Sequence, residues 1–148
     1  MGRLRPLPRR GAVTTREWLG VTMLALVACG PTCPPLYAHR ADLPPDLESD
    51  ERRLALDANV VAAVNGRPAA LRFRVLGVEP VSRRFTVYRW RGGPLLDLEI
   101  APEPDGSYLL GLEDPSGAPL ESGVHRVRVE TPDLLEASFE IRECAVFY

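Results

Sequence analysis

The sequence predicts an all-β protein, an antiparallel sandwich or barrel of about seven short strands. Three observations support this fold class. Apolar and polar residues alternate with a period of two from residue 59 to the end of the chain, which is typical of strands that bury one face. Gly, Pro, Asn and Asp separate the alternating runs at short intervals, as in sandwiches and barrels. The chain has 148 residues, of which 45% are apolar, and this suffices for one domain with a packed core.

The alternating runs give the strands in order. The first run ends in Asn65-Gly66, a strong signal for a tight turn. The last run places Leu135, Ala137 and Phe139 on one face and charged or small polar residues on the other, as expected of a half-buried strand. The predicted strands span residues 59–64, 69–78, 84–91, 95–100, 107–112, 124–130 and 134–142.

Residues 29–58 are predicted to form a tether in front of this domain. Five prolines, which favour extended and semi-rigid chain, occur in its first half: Pro31, Pro34, Pro35, Pro44 and Pro45. Residues 46–57 could add one or two helical turns, although their leucines form no clean helical stripe. We therefore divide the chain into a leader (1–28), a Pro-rich tether (29–58) and a β domain (59–148).

The first 28 residues have the layout of a secretory signal. Residues 1–16 carry five Arg and no acidic residue, and an apolar run follows over residues 18–28, the order found in signal peptides. These eleven residues, with Thr22 as their one polar member, rise only about 16 Å as a helix, too short for a hydrocarbon core of about 30 Å. A buried core helix is the alternative interpretation.

The end of the apolar run, Leu26-Val27-Ala28-Cys29, resembles the lipobox of bacterial lipoproteins. The resemblance implies that residues 1–28 are removed and that Cys29 becomes a diacylated N-terminus. Two or three acyl chains give stable membrane anchoring, at about 0.8 kcal/mol per buried methylene. The implied location is the cell envelope, with the protein held by its lipid and facing the periplasm or the exterior.

Removal of the leader would leave an acidic chain. Residues 29–148 contain 13 Arg and 19 acidic residues, a net charge of −6, and no Lys. This balance argues against nucleic acid, which requires a basic face, and against a polybasic membrane patch. The predicted partners are therefore the membrane, through the lipid, and a protein of the envelope.

Two family resemblances refine the fold. Residues 121–129 and 134–141 resemble the last two strands of bacterial immunoglobulin-like domains, except that His125 stands where an aromatic residue is usual. Residues 65–68 and 105–112 are similar to transthyretin-like domains. Both resemblances imply an antiparallel Greek-key β-sandwich of about seven strands, and neither implies catalysis. The two families differ in strand order, which the sequence leaves open.

Cys33 and Cys144 are the two cysteines that remain once Cys29 carries a lipid. Outside the cytoplasm such a pair is more often oxidised than free. The two residues are therefore a candidate disulfide, and two unpaired thiols are the alternative.

The sequence indicates no catalytic residue, no metal site and no cofactor. It lacks Gly-x-Ser-x-Gly and His-Glu-x-x-His, the motifs of common hydrolases and zinc enzymes. Glu103 and Asp105 resemble the beginning of a calcium loop, but the closing Glu is missing, and Pro-Asp-Gly is also an ordinary turn. A hydrolase would depend on His125 and nearby carboxylates, for which no motif argues.

The preferred function is therefore a non-catalytic binding or structural accessory module that presents its sandwich to a protein partner. Loops 79–83, 101–106 and 113–123 are the first candidates for contact, because sandwiches commonly bind through end loops or an edge strand. The alternative is a module that binds cell wall or carbohydrate through exposed aromatic residues. Its candidates are Trp90, Tyr88 and Tyr108, for which core packing is the competing use.

Three arginine pairs lie at strand spacing, at 72/74, 89/91 and 126/128. Each pair shares a face of its strand, and carboxylates at 97, 99, 136 and 140 could pair with them across strands. A face that binds polyanions is the alternative.

Overall fold

The computed structural model describes residues 33–35 and 37–146. This part of the chain contains eight β-strands and no helix. The strands are β1 (Arg53–Leu56), β2 (Val60–Val64), β3 (Ala70–Leu76), β4 (Arg83–Arg89), β5 (Pro94–Ile100), β6 (Tyr108–Gly111), β7 (Gly123–Glu130) and β8 (Leu134–Cys144). Within these same residues, no helix long and apolar enough to cross a membrane is found.

The strands form two sheets. One has three strands in the order β1-β3-β6, and the other has five in the order β2-β8-β7-β4-β5. Every pairing is antiparallel except that of β2 with β8, which is parallel. The all-β prediction is confirmed, and two sheets around one core are consistent with a β-sandwich.

The seven predicted strands each overlap a strand of the structure, and β1 is additional. The sequence left one or two helical turns open over residues 46–57, but β1 pairs with β3 through Leu54↔Val75 and Leu56↔Phe73. Its four residues alternate too briefly for a periodic signal, and the pairing with β3 decides their conformation. The β structure thus begins before residue 59.

The core lies between the two sheets. Phe73 and Tyr108 of the three-stranded sheet stack with ring centroids 5.7 Å apart, and Phe85 of the five-stranded sheet meets each of them edge-on at 5.0 Å. All three rings are buried. This cluster joins the sheets, and truncating a buried phenylalanine of this kind to alanine typically costs about 3–5 kcal/mol.

Residues 37–49, which we call the strap, lie against the domain. Ala38 bridges Val60 at the start of β2, and Leu47 bridges Glu136 through reciprocal backbone hydrogen bonds of 3.0 and 2.9 Å. Arg40 Nη1 lies 3.1 Å from a Glu140 carboxylate oxygen. This part of the chain therefore differs from the free tether that the prolines favour. Leu47 can pair with residue 136 of β8 because β2 covers only residues 140–144 of that strand.

Gly77 ends β3 in a left-handed conformation with φ +86°. A Cβ at this position would collide with the backbone oxygen of Glu51 and crowd Arg52. Glycine is therefore required here by both backbone conformation and close approach.

Candidate functional site

The predicted lipid attachment residue, Cys29, lies outside the described residues. The structure joins Cys33 to Cys144 by a disulfide, with Cα atoms 5.2 Å apart and a sequence separation of 111. The bridge attaches the chain just ahead of the strap to the last residue of β8.

The three aromatic candidates do not form one exposed platform. Tyr108 is only 1% exposed, and its hydroxyl donates a 2.6 Å hydrogen bond to the Val81 carbonyl oxygen. Tyr108 is therefore excluded from the exposed aromatic residues of the carbohydrate-binding alternative, and core packing, the competing use, is the one found. Its place in β6, opposite Phe73, turns the ring into the core, and the Val81 carbonyl satisfies its polar end.

Tyr88 and Trp90 lie on the outer face of the five-stranded sheet. They are two residues apart on the β4 segment and alternate with inward-facing Val87. The Trp90 amide donates a 3.0 Å hydrogen bond to the Val124 carbonyl, which extends the sheet pairing beyond the end of β4. The Trp90 side chain is 38% exposed, so a partner could reach its indole.

Arginine side chains cover both rings. The Arg126 guanidinium carbon lies 5.3 Å from the Trp90 ring centroid, and that of Arg128 lies 4.9 Å from the Tyr88 centroid. Arg91 also lies over Trp90, at 5.8 Å. These distances are within the range of cation–π attraction.

Glu136 holds the two β7 arginines in place. Arg126 Nε donates to Glu136 Oε2 at 2.8 Å, and Arg128 Nε donates to Glu136 Oε1 at 2.9 Å. Arg126 also donates to the Ser138 hydroxyl at 2.8 Å and to the Pro45 carbonyl of the strap at 3.1 Å. Arg126 and Glu136 are only 4% and 9% exposed. We call Tyr88, Trp90, Arg126, Arg128 and Glu136 the aromatic–arginine face.

The contacts within this face stabilise the charged form of Glu136 and the neutral form of Tyr88. Burial alone would raise the pKa of Glu136, but contacts with Tyr88, Arg128 and Arg126 outweigh it and hold this pKa below its usual value. Burial and the nearby Glu136 carboxylate raise the pKa of Tyr88. Glu136 is therefore a carboxylate bound by two guanidinium groups, which suits it for ordering a surface rather than for transferring protons.

His125, the residue on which a hydrolase would depend, is completely buried. Its Nδ1 lies 2.9 Å from the Gly123 carbonyl oxygen, its ring stacks on Phe139 at 5.7 Å, and its Nε2 is buried without a hydrogen-bond partner. Burial, with Arg89 in addition, lowers the pKa of His125. A substrate has no direct access to this imidazole.

The end loops carry self-contained turns. The Asp105 carboxylate accepts hydrogen bonds from the Ser107 amide and hydroxyl at 3.0 and 2.6 Å, and these contacts lower its pKa. Arg74 contacts the same aspartate, and Arg72 donates to the Ser107 hydroxyl. The described part of the chain brings together no group of three or more His, Cys, Asp or Glu that could hold a metal.

The sequence identified parts of this site but not their connection. Strand spacing indicated that the three arginine pairs could bind carboxylates at 97, 99, 136 and 140 across strands, and the structure contains such pairing for Arg126 and Arg128 with Glu136. The stacking of these arginines on Trp90 and Tyr88 was not expected. Their relative positions depend on β7 lying between β4 and β8, which no local pattern specifies.

Comparisons with known proteins find no relative of this chain. No protein-family model matches the chain, and no curated protein matches it.

Proposed function

We propose that this protein is a non-catalytic, lipid-anchored module of the cell envelope that presents a β-sandwich to a protein partner. Cys29 carries the lipid, and the aromatic–arginine face is the contact surface. The lipobox-like sequence at residues 26–29 supports the anchor. The Cys33–Cys144 bridge agrees with an oxidising compartment.

The proposal includes an immunoglobulin-like Greek-key arrangement. Immunoglobulin sandwiches place strands B and E in one sheet and C, F and G in the other. Here β3 and β6 are neighbours in one sheet, while β4, β7 and β8 are consecutive in the other. This correspondence favours the immunoglobulin-like resemblance over the transthyretin-like one.

The observation that carries the proposed function is the composition and order of the aromatic–arginine face. Trp, Tyr and Arg are the residues enriched at the energetic centres of protein interfaces. Arg126 is only 4% exposed, so Arg128 is the arginine of this face that a partner can contact. Glu136 already fixes Arg128, so little side-chain freedom would be lost on binding. Guanidinium groups lie over the rings, whereas a sugar would need a free aromatic face. This favours a protein partner over a carbohydrate.

Two measurements test the proposal in sequence. The first is the intact mass of the protein from the membrane fraction of its native host, beside a Cys29→Ser variant. The expected mass is that of residues 29–148 plus two or three acyl chains, and the variant should lose both the lipid and membrane retention. A membrane-free protein of uncleaved mass would contradict the anchor.

The second measurement is photo-crosslinking from a benzoylphenylalanine placed at Trp90 in native membranes. The matched control is the same group at Leu109, which is 41% exposed on the other sheet. We expect an adduct of discrete protein mass from position 90 that an Arg128→Ala change weakens, and none from position 109. Equal labelling at both positions would refute the assignment of the face. Retention of the protein on insoluble cell-wall glycan, lost in Trp90→Ala, would favour the carbohydrate alternative.

A further inference from the structure

The disulfide lies very close in sequence to the proposed lipid. Only Gly30, Pro31 and Thr32 separate Cys29 from Cys33. Four residues of fully extended chain span at most about 14 Å. Whatever conformation these residues adopt, the two cysteines cannot be farther apart than this.

The bridge fixes which end of the sandwich this short connection reaches. Cys144 is the last residue of β8, and the Asn65 amide at the turn after β2 donates a 2.9 Å hydrogen bond to its carbonyl. The other end of β8 begins at Leu134, beside the turn that contains Thr131. The ten steps of β8 correspond to about 33 Å of strand. Relative to Cys29, the sandwich therefore has a near end at Cys144 and a far end at Leu134.

The strap attaches the chain after the bridge to the domain, so that this chain adds no length between Cys29 and the sandwich. Beyond the bridge, Ala38 pairs with Val60, and Arg40 binds Glu140 and donates its amide hydrogen to the Asn59 side chain at 2.7 Å. The Pro-rich chain is thus attached along the domain and does not act as a spacer. The chain from Cys29 up to the bridge comprises residues 29–32, which are four residues, compared with the thirty of the expected tether at 29–58.

We infer that the Cys144 end of the sandwich is held against the phospholipid surface, with the Leu134 end directed away from it. This inference rests on the proposed lipidation of Cys29. It places the aromatic–arginine face at an intermediate height above the membrane. The Trp90 amide bonds to the Val124 carbonyl, and Val124 lies opposite Glu140 in β8. Glu140 is four residues, or about 13 Å of strand, from Cys144. A partner that contacts Trp90 must then approach close to the membrane.

Energy transfer from single tryptophans to a dansyl group on lipid headgroups tests the orientation. Trp90 is the sole tryptophan of residues 29–148, so the native protein reports the intermediate height. In a Trp90→Phe background, Arg67→Trp reports the near end and Leu134→Trp the far end, both at exposed positions. In vesicles that carry the acylated protein, we expect transfer to fall in the order 67, 90, 134, several-fold between the first and the last.

Two variants lengthen the connection as controls. A ten-residue Gly-Ser insertion between Thr32 and Cys33 leaves the sandwich untouched and should abolish the order. The Cys33→Ser/Cys144→Ser double variant makes Ala38 the next attachment, nine residues or up to about 32 Å from Cys29, and should lower the signal from position 67.

The outcomes separate this inference from the proposed function. If the mass shows no acyl chains and the vesicles retain no protein, both fail. If the protein is acylated and bound but positions 67 and 134 transfer energy equally, or the order is unchanged by the insertion, the orientation is refuted and the lipid anchor stands.

Discussion

Replacement of Glu136 by glutamine tests whether the aromatic–arginine face depends on a buried carboxylate. The change keeps the size of the side chain and removes its charge. Arg126, which is only 4% exposed, would then be a buried cation without a charged partner. The expected result is a substantial loss in the free energy of unfolding.

The magnitude follows from the burial of the two ion pairs that Glu136 makes. Removing one partner of a buried pair typically costs about 3–5 kcal/mol. Arg126 keeps hydrogen bonds to Ser138 and Pro45, which favours the lower limit. The side chain of Arg128 is 41% exposed, so its pair contributes at most about 1 kcal/mol. We therefore expect Glu136→Gln to cost about 3 kcal/mol.

Urea denaturation followed by intrinsic fluorescence provides the measurement. With a urea m-value near 2 kcal/mol/M, the midpoint should fall by about 1.5 M. Asp97→Asn is the matched control, since Asp97 accepts a 2.7 Å hydrogen bond from Arg84, close to the 2.8 Å of the buried pair, but both side chains are exposed. We expect a much smaller change from this control.

Two results would refute the reasoning. The first is a loss of less than about 1 kcal/mol in Glu136→Gln, which is the range of exposed pairs. The second is an equal loss in Asp97→Asn, because burial would then not be the cause. A double-mutant cycle with Arg126→Met isolates the pair, and Glu136→Gln should cost much less in that background.

Three further predictions concern the rest of the sandwich. The Cys33→Ser/Cys144→Ser variant should lose about 4–5 kcal/mol of stability by the loop-entropy model, measured by denaturation, and added reductant should destabilise the parent but not the variant. The pKa of His125 is lowered in the folded state, so on acidification the unfolded chain binds the proton at a higher pH than the folded chain does. The free energy of unfolding should therefore be constant above the ordinary pKa near 6.5 and should fall as the pH drops below it. Each tenfold loss of proton affinity on folding makes this fall larger by about 1.4 kcal/mol, and His125→Phe should flatten the profile between pH 5 and 7. Finally, Gly77→Ala should destabilise more than Gly66→Ala in thermal melts, since both glycines have positive φ but only at Gly77 would a Cβ meet the backbone; equal losses would show that the close approach is unimportant.

The strands that could be predicted are those whose apolar residues alternate over a long enough run. β8 is an example, because Leu135, Ala137, Phe139 and Ile141 all turn into the core. β1 could not be predicted, since four residues give too short a pattern. The strap was also missed. Backbone hydrogen bonds such as those of Leu47 with residue 136 leave no periodic trace in the side chains.

The candidate site was predictable only in its local pairs. The spacing of Arg126 and Arg128 places both on one face of a strand, so a carboxylate partner on the next strand was expected. The burial of Arg126 was not expected, because the strap contributes to it through the Pro45 carbonyl, which accepts a hydrogen bond from Arg126. For Tyr108 the sequence left exposure and core packing open. A tyrosine in a short alternating run can face either side, and only the pairing of β6 with β3 decides which.

The parallel pairing of β2 with β8 has a consequence for how the chain folds. Val60 lies opposite Glu140, so the two strands come from opposite ends of the domain. Such non-local pairs must close a long loop before they gain any contact, which slows folding. Among the strands of the described residues, β8 is also the only one beside β2 in its sheet, and it lies between β2 and β7. Residues 60–64 therefore remain without a sheet to join until the final strand is in place. During that interval the early apolar segment Val60-Val-Ala-Ala-Val64 is exposed to pairing with the wrong partner.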